Sequence, residues 1–504
     1  MNKTFSLANR IALVWVAGAI LLGVGPLFWF LIERNEANYF LFDRSLFAIL
    51  LFTLKQALLS SIISVGLGLA AARAMARREF LGKTLLLNLF AVPQSLPAIV
   101  AVLGFLSVFG NAGLLPGLIN TYGLTGIVMV HVFFNLPLSM RLCLETLNGI
   151  APETFRLSQQ LAFSDRQLFR HVEWPVLASS LPRIFALIFL LCAASFIVVL
   201  TLGGPSATTL EVAIFQSLRM DFDVGRAFSL SVLQIALSLA LIAIAGRTLV
   251  QGSSQYSGMI EPRTDGISWV AKVFDYGALV VAALLVLPPM FAILVYGLPE
   301  IMVSFELLKA LAFSVLIGGM SAILAVALAW SLSKYLTPLN TVLALSGFIV
   351  PPALLATGWF LLFRNISASV WLVIVLVVAL NSLMALPFTV AILSEGFKKM
   401  GLGHEKLCAQ LGLHGWYRFW WIDFQIMKTS AIQALLLAFV FSLGDLTAVT
   451  LLGNQGLVSL PALLHQQMGH YRSQEAAGTA LILAGLCFAV AALAQKIRSS
   501  NDHV

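Results

Sequence analysis

Three observations predict an all-α polytopic membrane protein of about 12 transmembrane helices, arranged as two parallel six-helix repeats that each carry a polar cytoplasmic loop. The first is the solvent that the composition demands. Of 504 residues, 60% are hydrophobic and 10% charged, with a mean hydropathy of +0.96, which excludes an ordinary water-soluble domain. The second is a series of apolar runs of about 20 residues, enough to cross a bilayer. The third is a constant register. Leu161-Ala162 stands 250 residues before Leu411-Gly412, as does Pro137 before Pro387, Leu202-Gly203 before Leu452-Gly453 and Gln216 before Gln466. Chance matches scatter in register, so one offset at four landmarks marks a duplicated domain.

Taken in order, the chain opens with Lys3 and Arg10 ahead of an apolar run from Ile11 to Ile32. At about 22 residues this run exceeds the apolar core of a cleaved signal and suits an uncleaved first span. Further runs centre near Ala70, Leu96, Val132, Phe189 and Leu237 in the first half. In the second half they centre near Leu284, Ala322, Leu355, Val377, Val440 and Leu486. The layout is a first span and outer loop at 1–45, a first transmembrane domain at 46–250, a linker with an extra span at 251–300, a second transmembrane domain at 301–497 and a cytoplasmic tail at 498–504. Gln251 to Lys272, with three glycines, two adjacent serines and Pro262, has the composition of a linker. Pro93, Pro97, Pro137, Pro351, Pro352 and Pro387 lie inside apolar runs and predict kinks or breaks there.

Orientation follows from the basic residues. With both termini inside the cell, 22 of the 30 Lys and Arg residues fall in inner loops and eight in outer ones, the asymmetry of the positive-inside rule. An even number of spans per half returns the chain to the side from which it entered, so the repeats are parallel. The net charge of +8 is dispersed over short loops with no dense basic patch, which argues against nucleic acid as a partner. Four cysteines (Cys143, Cys192, Cys408, Cys487) lack paired spacing, and support neither a disulfide framework nor a metal site.

Two polar islands interrupt the apolar pattern, from Glu153 to Leu177 and from His404 to Lys428. Ser164 followed by Gln167 has the spacing of a capping box, which predicts a fresh helix at Asp165 and a helix, turn, helix reading of the island. Leu157 and Leu161 lie four apart and share a helix face, as do Leu407 and Leu411, leaving a small residue, Ala162 or Gly412, at the turn. A single such island would read equally well as a solvated connection. Its duplication at fixed register favours a docking element on the cytoplasmic side, centred on Leu161, Ala162 and Phe163 and on Leu411, Gly412 and Leu413.

At membrane depth, His131, its repeat partner Asn381, and Asp445 are candidates for a translocation pathway, because an ionisable or strongly polar group there is costly unless it meets a cavity or a partner. The plain alternative is a hydrogen bond between helices. The acidity of Asp445 suits a cationic solute. On the outer side, Pro205 to Asp223 and Gly456 to Arg472 read as equivalent long loops, fit either to contact a partner or to cap helices.

Chemistry within the chain is not indicated. Gly82-Lys83-Thr84 imitates the end of a phosphate loop, but Arg77 stands where its first glycine belongs; His404-Glu405 lacks the second histidine of a zinc protease; and no Gly-x-Ser-x-Gly elbow occurs. No catalytic residue, cofactor or metal is expected, and nucleotide-driven transport would need a separate ATPase.

The second island, with Gly412, and the first, with Pro175, together resemble the signature loop of the permease subunits of binding-protein-dependent ABC importers of the type I fold. That loop has an acidic-Ala-Ala start, a central glycine and a later proline, and forms the coupling helix that docks on the ATPase. The pattern here is partial: Arg156 and Lys406 stand at the acidic position, Ala162 replaces the first glycine and Gln425 the second proline. HVFFNLPLSMRL, FRHVEWPVL, LGGPSATTLEVAIFQSL and HYRSQ are similar to segments of fused thiamine permeases, with ferric-iron permeases as the alternative within the class and an ion-coupled secondary carrier outside it. The resemblance implies a multi-pass protein of the cell inner membrane that imports thiamine or its phosphates. Its implied partners are two copies of an ATP-binding subunit, one periplasmic solute-binding protein and membrane lipid.

Overall fold

The computed structural model describes residues 7–33, 44–204, 207–249, 265–334, 337–363, 369–411, 415–453, 456–470 and 472–501, and all regular elements among them are helical. The first half contains α1 (Leu7–Glu33), α2 (Arg44–Arg77), α3 (Lys83–Ala91), α4 (Ala98–Phe109), α5 (Leu124–Asn148), α6 (Pro152–Gln160), α7 (Asp165–Leu168), α8 (Trp174–Ala193), α9 (Ile197–Leu202), α10 (Leu210–Arg219) and α11 (Val224–Leu249). The second contains α12 (Trp269–Gly297), α13 (Phe305–Lys334), α14 (Pro338–Ala344), α15 (Ser346–Ile349), α16 (Pro352–Phe363), α17 (Val370–Gln410), α18 (Gly415–Arg418), α19 (Phe424–Leu443), α20 (Thr447–Leu452), α21 (Leu460–Gly469) and α22 (Ser473–Asn501).

Ten of the described helices are long and apolar enough to cross a membrane, or up to 11 if one bent pair counts as a span. The expectation of about twelve counted the runs near Leu96 and Leu355 as one span each, with proline kinks or breaks inside them. Prolines divide both. Around Pro93 the chain tightens into a 3-10 turn, Val92–Ser95, and α4 departs at 115° from the α3 direction after Pro97. In the second half Pro351 and Pro352 separate α15 from the 12-residue α16. Each such proline lacks the N–H that a continuing helix would use. Pro137 and Pro387, by contrast, lie inside α5 and α17, which run on past them.

The helices group into two compact units that do not follow chain order. One comprises residues 42–212 and 236–296; the other comprises 1–41, 213–235 and 297–504. The first unit is built on α2, α5 and α8. Ala57, Ala71 and Ala72 on α2 are fully buried, and a Cβ at Gly68 would meet Ser139 Oγ of α5 at 2.6 Å. Small residues let these helices approach closely, as expected where dispersion rather than water expulsion drives association. Its α12 is held to the end of α2 by Arg78, whose Nη2 lies 2.7 Å from Asp275 Oδ2. In the other unit α13, α17 and α19 form the matching core, and α1 packs against α16. Gly23 and Gly358 permit that last contact, since a Cβ on Gly358 would collide with Gly23 O, and Trp359 Nε1 donates to Ala19 O at 3.0 Å. Each unit is thus completed by the leading helix of the other half of the sequence.

Candidate functional site

In the first island the capping box is present. Ser164 N donates to Gln167 Oε1 at 2.9 Å and Gln167 N to Ser164 Oγ at 3.4 Å, and α7 begins at Asp165. The preceding helix α6 starts on Pro152, where the missing N–H costs nothing, with Glu153 in its first turn. It ends at a turn in which Ala162 takes φ 51°, the left-handed conformation that glycine adopts more readily. Phe163 N returns to Ser158 O at 3.0 Å, and its ring lies 6.1 Å from His171. Leu157 and Leu161 face outward, Leu161 at 59% exposure. Asp165 Oδ1 also accepts from Gly266 N at 2.9 Å, so the end of the linker region is fastened to this island.

The second island differs in how it starts. Where α5 stops at Asn148 and α6 begins anew, α17 runs unbroken for 41 residues to Gln410. Leu407 and Leu411 are exposed, Leu411 at 61%. Gly412 and Leu413 lie outside the described residues.

Both islands then enter the bundle through the same device. Phe169–Glu173 and Phe419–Asp423 are five-residue π turns, closed by Trp174 N to Phe169 O and Phe424 N to Phe419 O. The last residue of each is a fully buried carboxylate paired with a cation in the last five residues of a long helix. Arg73 Nε of α2 reaches Glu173 Oε2 at 2.6 Å, and Lys334 Nζ of α13 reaches Asp423 Oδ2 at 2.6 Å. The partners are 100 residues apart in the first pair and 89 in the second. The first residue of each turn is also held: Arg73 lies 4.5 Å above the Phe169 ring, and Trp330 of α13 meets Phe419 edge-on at 5.3 Å. Sequence reasoning missed these clamps, whose only trace was an acidic residue 250 apart in both copies.

The candidate pathway residues occupy dissimilar settings. His131 and Asn381 are buried at equivalent points of their own bundles. Ser60 Oγ lies 3.3 Å from His131 Nδ1, and Asn381 Nδ2 donates to Ser442 Oγ at 2.7 Å. Asp445 lies in the break between α19 and α20, where both its oxygens accept backbone N–H groups, from Thr447 and Ala448 at 3.0 Å. It therefore caps α20.

The two long segments that read as equivalent loops hold the ten-residue helices α10 and α21. Their first residues hook onto the long helices in the same way: Leu210 N donates to Thr53 Oγ1 at 3.0 Å and Leu460 N to Ser314 Oγ at 2.8 Å. Short helices amid Gly, Pro, Ser and Thr read as loops because they carry too few turns to display a period. Glu211, the second residue of α10, is buried there, and burial pushes its carboxyl up to about 8. Among the described residues no group of three His, Cys, Asp or Glu side chains converges as a metal site would require.

No family model matches the chain. Curated relatives do. The thiamine transport system permease protein ThiP of Escherichia coli is 38% identical over 488 residues, 91% of this chain and 90% of that protein. That of Brucella abortus is 37% identical over 487 residues, 92% and 90%. The chain belongs to the thiamine transport system permease family. A sulfate transport system permease protein, CysT of Salmonella typhimurium, is 29% identical over 249 residues, which is 90% of that protein but 47% of this chain. That match is nearly as long as the 250-residue offset between the landmarks. Membership fits the multi-pass helical architecture and the paired islands alike.

Proposed function

We propose that the chain is the membrane-embedded permease of an ATP-driven, binding-protein-dependent importer that carries thiamine across the cell inner membrane, with both termini in the cytoplasm. The relatives named for thiamine transport cover nine-tenths of this chain, which supports the solute. The single observation that carries the mechanism is the repeated island, an exposed leucine pair followed by a π turn clamped to a long helix by a buried ion pair.

A motor can shift an inward/outward equilibrium only through contacts that differ between the two states. Leu161, Ala162 and Phe163, with Leu411, Gly412 and Leu413, are the contacts offered to the ATP-binding subunit, one copy per island. The clamps join those turns to α2 and α13, so displacement of an island is delivered to a core helix of each bundle. His131, Asn381 and Asp445 belong to this pathway, and a periplasmic binding protein delivers the solute from the other side. The transmembrane domains at 46–250 and 301–497 each carry one island.

The test is reconstitution of the chain with its ATP-binding subunit and solute-binding protein in proteoliposomes. Thiamine uptake that requires ATP and all three components is expected. Uptake driven by an ion gradient without the ATPase, or uptake of ferric iron in place of thiamine, would overturn this reading.

A further inference from the structure

The hooks that start α10 and α21 repeat, but what surrounds them does not. In the first copy Glu211 follows the hooked Leu210, is 1% exposed, and has neither carboxylate oxygen hydrogen-bonded among the described residues. Thr209 Oγ1, on the other side of the hook, is also buried and unmatched. On α2, one turn along from Thr53, Gln56 gives its amide Nε2 to Cys192 O at 2.9 Å and leaves Oε1 buried and unmatched. Four buried oxygens on residues within one turn of the two ends of one backbone contact thus have no hydrogen-bond partner, a costly arrangement in a protein interior.

The second copy shows that the architecture does not need them. There the hook persists between Leu460 and Ser314, yet Pro461 follows it where Glu211 stands in the first copy. Ser459, in the place of Thr209, caps α21 by accepting from Ala462 N at 3.4 Å. Ile317, three residues after Ser314, takes the place of Gln56 and is buried. A packing role would be met by the apolar set, so the unsatisfied oxygens of the first copy call for a guest.

We propose that Glu211, with Gln56 and Thr209, is a binding site for a cationic solute that also carries an N–H donor. Glu211, protonated while the closed site is empty, releases its proton to water as the guest arrives and meets the positive charge as a carboxylate, and the amide and hydroxyl oxygens accept from the donor. Resting on the thiamine reading above, this matches the permanent charge of a thiazolium ring and the amino group of its pyrimidine. Asp445 is unsuited to that task because both its oxygens already hold α20. In the present conformation Glu211 is closed off, so the site receives its guest only in another state of the transport cycle, as alternating access requires.

The test uses the reconstituted complex with radiolabelled thiamine, and reads thiamine imported per ATP hydrolysed. Glu211→Gln keeps the shape and removes the charge, and is expected to lower that ratio at least tenfold; Glu211→Asp, which restores the charge on a shorter arm, recovers part of it. A wild-type ratio in Glu211→Gln would overturn the site, as would a fall in uptake and hydrolysis in equal proportion, the mark of a structural role. If Glu211→Gln fails to assemble, Glu211→Asp decides alone: a reduced ratio supports the site and a wild-type ratio overturns it. Wild-type complex that imports no thiamine would instead overturn the importer reading itself.

Discussion

The two clamps solve one problem with different parts. In the first, Pro175 follows the π turn by two residues, and a proline there offers an obvious cause, since its missing N–H and its ring disturb a regular helix. The second copy has Gln425 at that place and forms the same turn over Phe419–Asp423. Proline is therefore not what makes it. What the copies share is a buried carboxylate on the last residue of the turn, a cation from the facing helix and an aromatic first residue packed on that same helix. π turns occur mostly as single bulges at functional positions, and here the bulge presents the carboxylate to its cation. The copies differ in how the charge is met. Arg73 does two jobs, pairing with Glu173 and covering Phe169, whereas in the second copy they are divided: Lys334 and Arg418, the latter at 3.3 Å, meet Asp423, and Trp330 packs on Phe419.

That difference can be broken experimentally. Arg73→Ala removes the ion pair and the ring contact together, and by the usual cost of opening a buried pair is expected to lower stability by about 3–5 kcal/mol. Lys334→Ala leaves Arg418 on Asp423 and is expected to cost less than half as much, about 1–2 kcal/mol, whereas Lys334→Ala with Arg418→Ala should approach the Arg73→Ala loss. Thermal unfolding of the purified chain in detergent checks the order. Equal losses for the two single variants would show that Arg418 does not share the load.

Asp445 sharpens the contrast between the copies further along, because the equivalent break in the first half carries Ser195. Both Asp445 oxygens hold backbone N–H groups at the start of α20, and Asp445→Asn keeps one acceptor there. Asp445→Ala is expected to lower stability by about 1 kcal/mol and Asp445→Asn by less, read by thermal unfolding in detergent. Equal losses would show that the remaining acceptor contributes nothing to the cap.

The smallest effect concerns the turns. Ala162 at φ 51° holds a conformation that costs a residue with a Cβ about 1–2 kcal/mol. Ala162→Gly makes the first turn match the glycine of the second and is expected to raise stability by about 1 kcal/mol or less, with uptake retained. Loss of uptake in Ala162→Gly would mean that the alanine methyl itself contributes to docking.

Much of this was legible in the residues. The capping box could be read because Ser164 and Gln167 are three apart and their bonds are local, and the breaks near Leu96 and Leu355 because proline acts on its own turn. The exchange of leading helices was not legible, since Gly23 meets Leu355 and Arg78 meets Asp275 across long stretches of chain with no local sign. The clamps were hidden for a related reason. Arg73 and Lys334 are 261 residues apart while their carboxylates are 250 apart, so a single register cannot pair both ends. Among the site residues, the islands were visible as polarity against an apolar ground. Glu211 was not, because a carboxylate in a stretch rich in Gly, Pro and Thr reads as solvated.

The central claim is that the two islands are the surfaces gripped by an ATPase. All four native cysteines are buried, so Leu161→Cys, Leu411→Cys and, as a control, Phe222→Cys in the loop after α10 can each be labelled with a reagent that is thiol-reactive at one end and photoreactive at the other, then illuminated in the assembled complex. Phe222 is 79% exposed, so its reactivity is assured. The account predicts cross-links from positions 161 and 411 to the ATP-binding subunit and none from 222; cross-linking from 222 alone, or from neither island, would contradict it.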